Sequence, residues 1–226
     1  MLARVAPERG RGHYFLDRAR SCRRDARQKP RGPRGARSVG CPRLGSDGGN
    51  GPVTSIQVRP AEPRDHADVA ILHHREWGGP YVVVHDTRYD LRELPTLVAV
   101  DGAGEFAGAL VHRLADDGLE VVSLAATSPG IGAGSALLAA AEAVALAAGA
   151  DRLWLVTTND NLSALRFYQR RGLRIVAVDA GAVDRARRLK PTIPYVGEDD
   201  IPLHDELLLE RRLETTAGPR RSGLPG

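Results

Sequence analysis

The run Ser128-Pro129-Gly130-Ile131-Gly132-Ala133-Gly134-Ser135 sets three glycines at alternate positions ahead of a stretch rich in alanine and leucine. Small residues let a ligand reach the backbone. The unpaired amides at a helix start attract an anion, assisted by the helix dipole. The chemistry expected there is capture of a phosphate or pyrophosphate, although a plain glycine-rich strand-to-helix turn uses the same residues. Two phosphate motifs fail on spacing. A dinucleotide fingerprint needs Gly or Ala where Ser135 stands. A P-loop needs four residues between its glycines and then a lysine, but only three separate Gly130 from Gly134, and Ser135 follows.

Groups that could move protons are few. Glu120 is a carboxylate within the apolar run 119–126, which is where a general base is sought, and an exposed strand start has the same pattern. His112 ends the preceding run and is the other candidate. A chain of waters would need neither. His73 and His74 stand close to Trp77 and fit a surface or substrate rim, because no third ligand has metal-site spacing. Asn161 is placed as a helix N-cap. Tyr168 stands one helical turn from Ala164 and Leu165, where a core aromatic with a satisfied hydroxyl is the simplest reading. Both cysteines, Cys22 and Cys41, lie in the first 52 residues. The rest of the chain therefore has no disulfide, thiolate metal site or cysteine nucleophile.

The elements that must position these groups follow from period and punctuation. Residues 55–59 alternate as a strand, Pro60 ends it, and Glu62-Pro63 opens a helix that Gly78-Gly79-Pro80 stops. Residues 81–84 are a short β-prone run. Residues 96–100 and 105–111 flank a four-residue glycine-containing loop, a hairpin pattern. After a turn at 114–118, residues 119–126 read as a buried strand. Residues 134–148 carry an apolar helical stripe closed by Gly149, and residues 153–157 form a continuous apolar strand. A helix over 161–171, a strand over 173–178, a basic helix over 183–189 and a last strand over 204–213 complete the order. Antiparallel strands followed by a right-handed strand–helix–strand crossover predict an α+β fold. Its central sheet is mixed and mostly antiparallel, with about six to seven strands flanked by helices.

Two motifs in this frame resemble the GNAT superfamily of N-acetyltransferases. Its pyrophosphate-arm loop reads Gln/Arg-x-x-Gly-x-Gly/Ala, and Pro129 to Gly134 matches the glycines, with Pro129 in place of Gln/Arg. The stretch from Leu153 through Asn161, Ala164, Phe167-Tyr168 and Gly172-Leu173 resembles N-x-x-A-x-x-F-Y-x-x-x-G-F on its strand–helix–strand, with Leu173 replacing the aromatic. The later stretch Ala182-Val183-Asp184 to Lys190-Pro191-Thr192-Ile193-Pro194, then Gly197 to Pro202 and Asp205-Glu206-Leu207, resembles a poorly characterised subgroup. The resemblance spans residues 56–213.

It implies an acetyl-CoA-dependent N-acyltransferase acting on a small-molecule or peptide amine by direct attack in a ternary complex. It implies a splayed parallel pair formed by residues 119–126 and 153–157, with acetyl-CoA in the opening as acyl donor and no metal. Backbone groups of Leu124, Ala125 and Ala126 would pair with the pantetheine arm. Amides of Ile131, Gly132, Ala133, Gly134 and Ser135 would hold the pyrophosphate, and Asn161 would contact the cofactor arm. Tyr168 would protonate the leaving thiolate. Trp77, Tyr81, His85 and Tyr89 would line the acceptor site, and a homodimer is compatible with the superfamily. Ala125 stands where the subgroup often has an acidic residue, which points to an altered substrate or weaker turnover. A CoA-binding regulatory module without turnover is the alternative supported by Pro129 and Ala125.

Charge divides the chain. Residues 1–52 hold 13 Lys+Arg against 4 Asp+Glu, and residues 53–226 hold 19 against 24. The Arg/Gly/Pro-rich first segment cannot bury enough apolar surface to offset its ordering entropy and is expected to be disordered. A nucleic-acid arm is a competing reading, weakened by the presence of only Tyr14 and Phe15 as stacking residues. An Arg-rich targeting peptide is opposed by Glu8, Asp17 and Asp25. Arginine outnumbers lysine thirty to two, as GC-rich coding gives, so Val53 is an expected true start. The remaining residues predict a catalytic domain over 53–215 and a flexible tail over 216–226. The domain's acidic balance mildly favours a cationic acceptor. No apolar run approaches the roughly 18–20 residues of a membrane span, and a cytoplasmic protein is expected.

Overall fold

A computed structural model describes residues 55–214. The expectations for residues 1–52, for a start at Val53 and for the tail from Thr216 lie outside the described residues. The elements in chain order are β1 (Gln57–Pro60), α1 (His66–Trp77), β2 (Tyr81–Val84), β3 (Thr87–Asp90), β4 (Thr96–Val100), β5 (Phe106–Ala115), β6 (Gly118–Ala126), α2 (Ala133–Ala147), β7 (Arg152–Thr158), α3 (Leu162–Gln169), β8 (Arg174–Asp179), α4 (Ala182–Leu189) and β9 (Glu206–Arg212). Single 3-10 turns occupy Pro63–Asp65, Leu91–Glu93 and Glu198–Asp200.

Seven strands form one sheet in the order β1-β4-β5-β6-β7-β9-β8, and β2 pairs with β3 in a separate two-stranded ribbon. Every neighbouring pair is antiparallel except β6 and β7. The parallel pair arises because α2 crosses over between its strands, as parallel neighbours require. The sheet differs from the chain order at its far edge: β9 inserts between β7 and β8, so the strand after α3 becomes the edge.

Side-chain alternation sorts the sheet into two layers. Leu97, Leu110, Leu119, Val121, Leu124, Leu153 and Leu155 pack with Leu137, Leu138 and Ala141 of α2 and with Ala164 and Tyr168 of α3. Val98, Ala109, Val111, Val122, Ala125, Trp154 and Val156 pack with Leu72 and Trp77 of α1, Val82 and Val84 of β2, and Leu91. The start of α2 has no side-chain cap, which costs about 1 kcal/mol. Buried Leu137 and Leu138 each contribute about 1.5–3 kcal/mol. Packing therefore holds α2, and among the described residues no side chain caps its first amides.

Two irregularities shape the centre of the sheet. Val111 pairs with Ser123 and His112 with Val121, so Val122 is an extra residue in β6. The bulge resets the alternation, which is why Val121 and Leu124, three residues apart, share the α2 layer. The β6–β7 ladder also stops early. It joins Leu119 to Leu153, Glu120 to Trp154 and Val121 to Leu155, and no later pair. Beyond that point β6 stays with β5 as far as Ala126, while β7 stays with β9 as far as Thr158. The two strands thus part into a V beyond Val121 and Leu155. Among the described residues no helix is long and apolar enough to cross a membrane.

Candidate active site

On the α2 face the mouth of the V meets the glycine loop. Gly132 caps α2 with φ +92°, a left-handed conformation that side-chain-bearing residues rarely adopt. No side chain caps the first turn of α2, and that turn contains no acidic residue. Arg171 stands beside them. Its Nε donates to Ser135 Oγ at 3.1 Å, Nη2 donates to the same oxygen, and Nη1 donates to the Phe167 carbonyl at 2.9 Å. The guanidinium lies 3.5 Å from the Phe167 ring centroid. Among the described residues no carboxylate pairs with it, so a half-buried cation and a row of free amides share one place. An anion satisfies both.

Tyr168 sits deeper on the same face. It is fully buried, its ring edge meets Phe167, and its hydroxyl has no hydrogen-bond partner. Burial pushes its pKa well above the ordinary phenol value, so it is a proton donor rather than an anion at any physiological pH. Asn161 Oδ1 accepts the Ala164 amide at 3.0 Å and caps α3, as its position predicts.

On the α1 face the V opens under the β2–β3 ribbon. Glu120 is 1% exposed. Its Oε2 accepts from Arg113 Nη2 at 2.8 Å and Nε at 3.0 Å, while Oε1 has no partner. Burial raises its pKa; Arg113 opposes the shift without reversing it. Trp154, its neighbour across the ladder, leaves Nε1 unpaired and packs its ring 5.5 Å from His85. His85 Nε2 is also buried without a partner. Behind His85 lies Glu206, 2% exposed, whose Oε2 accepts the His85 amide at 3.3 Å. Burial raises the Glu206 pKa as well.

The turn after β7 fixes Glu206. Asn159 Oδ1 accepts the amides of His204 and Asp205, each at 3.0 Å. Asp160 is buried, takes the Thr158 hydroxyl and accepts the Glu198 amide at 3.0 Å. Gly197 presses on it so closely that an added Cβ would lie 1.8 Å from Asp160 Oδ2. Arg187 ties the same segment by donating to the carbonyls of Pro194 and Leu203, both at 2.6 Å.

The structure separates some residues that the sequence grouped. Glu120 and His112 fall on opposite faces, because His112 follows Leu110 by two residues and shares its α2 side. His112 is buried, and burial lowers its pKa. Trp77 is core, with Nε1 unpaired. Tyr81 turns outward: its ring stacks under Arg88 at 4.0 Å and its hydroxyl accepts from Arg92. His73 and His74 line a separate cavity of about 750 Å³ between α1 and the Leu91–Thr96 segment. Sequence reasoning missed Trp154, Arg171 and Glu206. Only the pairing of β7 with β9 brings Glu206 to the mouth of the V, and no local pattern signals that.

Comparison with known proteins agrees with this geometry. A sequence model of the acetyltransferase (GNAT) family matches residues 60–173. The uncharacterized protein YdhI of Bacillus subtilis (strain 168) is 37% identical over 140 residues, covering 62% of this chain and 88% of its own. The uncharacterized protein YxbD of the same organism is 34% identical over 146 residues, covering 65% and 92%. Among solved structures, an IAA acetyltransferase from Bacillus cereus superposes with TM-score 0.53 at 24% identity, covering 70% of this chain and all of its own. A GNAT family acetyltransferase from Elizabethkingia anophelis with acetyl-CoA bound gives TM-score 0.52 at 21% identity, covering 70% and 98%. These likenesses establish the fold.

Proposed function

Because the chain belongs to the acetyltransferase (GNAT) family, we propose that it transfers the acetyl group of acetyl-CoA to an amine by direct attack in a ternary complex. The observation that carries this reading is the β6–β7 opening. It runs from free helix amides on one face to buried carboxylates and an indole on the other. The Elizabethkingia protein has acetyl-CoA bound, and a further structural relative, a Bacillus subtilis acetyltransferase, is in complex with CoA.

In this reading the amides of Ile131 to Ser135 hold the pyrophosphate, aided by Arg171, which stands beside Ser135 of the loop in which Pro129 replaces Gln/Arg. Asn161 borders the cofactor arm. Backbone groups of Leu124, Ala125 and Ala126, set out of ordinary register by the bulge at Val122, pair with the pantetheine and polarise the thioester carbonyl. Acetyl-CoA supplies the activated acyl group. An amine of pKa near 10.4 is protonated at pH 7, and freeing its lone pair costs about 4–5 kcal/mol. Glu120, with one oxygen unpaired, is the carboxylate that receives this proton. Tyr168 donates to the departing sulfur, a role typically worth about 10²–10⁴-fold. His85 bounds the acceptor side, whereas Trp77 is core and Tyr81 turns outward to Arg88 and Arg92. The acceptor is a small molecule or peptide, and the protein works in the cytoplasm.

The test is acetyl-CoA with a panel of primary amines (tyramine, spermidine, lysine amide), following CoA thiol release and identifying the product by mass spectrometry. Release matched by an acetylated amine supports the reading. A folded protein that binds acetyl-CoA and acetylates none of them contradicts it.

A further inference from the structure

The β2–β3 turn is unusual in its residues. Val84 pairs with Thr87, so His85 and Asp86 form a two-residue hairpin turn, with φ +48° and +56°. Such turns favour Asn-Gly because both positions are left-handed. A histidine held there is strained, and strain of this kind persists where surrounding contacts over-determine it. Glu206, 121 residues away in the chain, supplies such a contact by accepting the His85 amide.

Glu206 is itself an anomaly. Among the described residues no lysine or arginine pairs with this buried carboxylate; the ring it faces is His85, with Nδ1 3.9 Å from Oε2. A carboxylate facing Nδ1 favours the proton on that nitrogen and leaves Nε2 as a lone-pair acceptor. The separation is longer than a hydrogen bond, as proton-transfer contacts often are without substrate. Nε2 is one of the buried atoms without a partner, and Glu120 Oε1 is another. The two carboxylates both lie within electrostatic reach of the His85 ring. Two unpaired acceptors beside one strand opening call for an N–H donor, which an ammonium group supplies.

We propose that His85, oriented by Glu206, takes the proton from the acceptor amine and passes it to Glu120. This rests on the acetyl-transfer reading and adds two residues to it. One proton leaves the ammonium nitrogen for His85 Nε2. The freed lone pair forms the new C–N bond as the C–S bond breaks and Tyr168 protonates the sulfur; the second proton leaves the acylated nitrogen as the amide forms and replaces the one that Tyr168 gave up. The imidazolium then gives its proton to Glu120 Oε1, whose burial favours the protonated form. Glu206 is a positioning residue in this scheme. The charged and titratable groups around His85 are Glu206 on β9, with Asp179 of β8 near it; Glu120 on β6, with its partner Arg113, the Tyr89 hydroxyl of β3 and Asp117 near it; and Asp86 in the same turn, which is tied to Arg185 of α4.

Nitrogen-15 NMR of the full chain reads the His85 tautomer directly, with His85→Asn for assignment. The expected result is protonated Nδ1 and bare Nε2, with that preference lost in Glu206→Ala. In steady-state assays with whichever panel amine is acetylated, His85→Asn lowers kcat/KM about 100-fold or more. The same variant leaves acetyl-CoA affinity unchanged. Glu206→Gln, which keeps an oxygen for the His85 amide but no charge, keeps the fold and weakens the Nδ1 preference in the same spectra. Protonated Nε2 in the wild type, or a wild-type kcat/KM in His85→Asn, overturns the proposal while leaving acetyl transfer standing. If no amine is acetylated, both fall together.

Discussion

Tyr168→Phe separates a structural from a chemical role, because the two predict opposite signs. The side chain is fully buried and its hydroxyl has no hydrogen-bond partner. A buried polar group left unsatisfied costs about 1–3 kcal/mol. Phenylalanine keeps the ring burial and its edge contact with Phe167, so it removes the cost and nothing else. For a chain of this size each kcal/mol moves Tm by about 2–4 °C, and the variant should melt a few degrees higher. As the acid for the leaving thiolate, Tyr168 contributes about 10²–10⁴-fold, which is about 2.7–5.4 kcal/mol of barrier. The assay pairs thermal unfolding followed by circular dichroism with initial rates of CoA release, acetyl-CoA affinity serving as control. The expected outcome is a raised Tm, unchanged affinity and a collapsed kcat. A lowered Tm with an unchanged rate would show that the hydroxyl is a satisfied core group, and the reasoning would fail at its first step.

Other consequences are equally direct. Gly197→Ala places a Cβ on the Asp160 carboxylate; overpacking of this kind costs about 1–3 kcal/mol, to be read as a lower urea midpoint. Burial lowers the His73 pKa from 6.5 to about 4. The unfolded chain therefore binds the proton first, and stability should fall as pH drops from 6.5 towards 4, a slope that His73→Phe flattens in urea titrations across that range. Arg171→Met removes the cation beside the α2 amides and should weaken acetyl-CoA binding about tenfold, or ~1.4 kcal/mol, by calorimetry.

The elements that lie within one stretch of chain were legible. The glycine loop, α2 and the Asn161 cap of α3 depend on neighbours a few residues away, and the structure places them where periodicity does. The β2–β3 ribbon was not, because its turn is His85-Asp86 and carries none of the glycine that signals a two-residue hairpin. Nor was the place of β9, whose pairing with β7 is long-range. That pairing delivers Glu206, so the acceptor side of the site was half hidden. Glu120 stood out because a carboxylate interrupts an apolar strand. Its separation from His112 follows from β5 alternation opposite the bulge at Val122, which the sequence does not announce.

The central claim is that the free amides of α2 and the opening beside them bind acetyl-CoA. Calorimetric titration of acetyl-CoA into the full chain, with Gly132→Glu as control, tests it most directly. That substitution puts a side chain where φ is +92° and a negative charge where the pyrophosphate belongs. The account predicts micromolar binding that the variant loses while keeping its fold. A folded wild-type protein that takes up no acetyl-CoA, or a variant that binds it equally well, would contradict it.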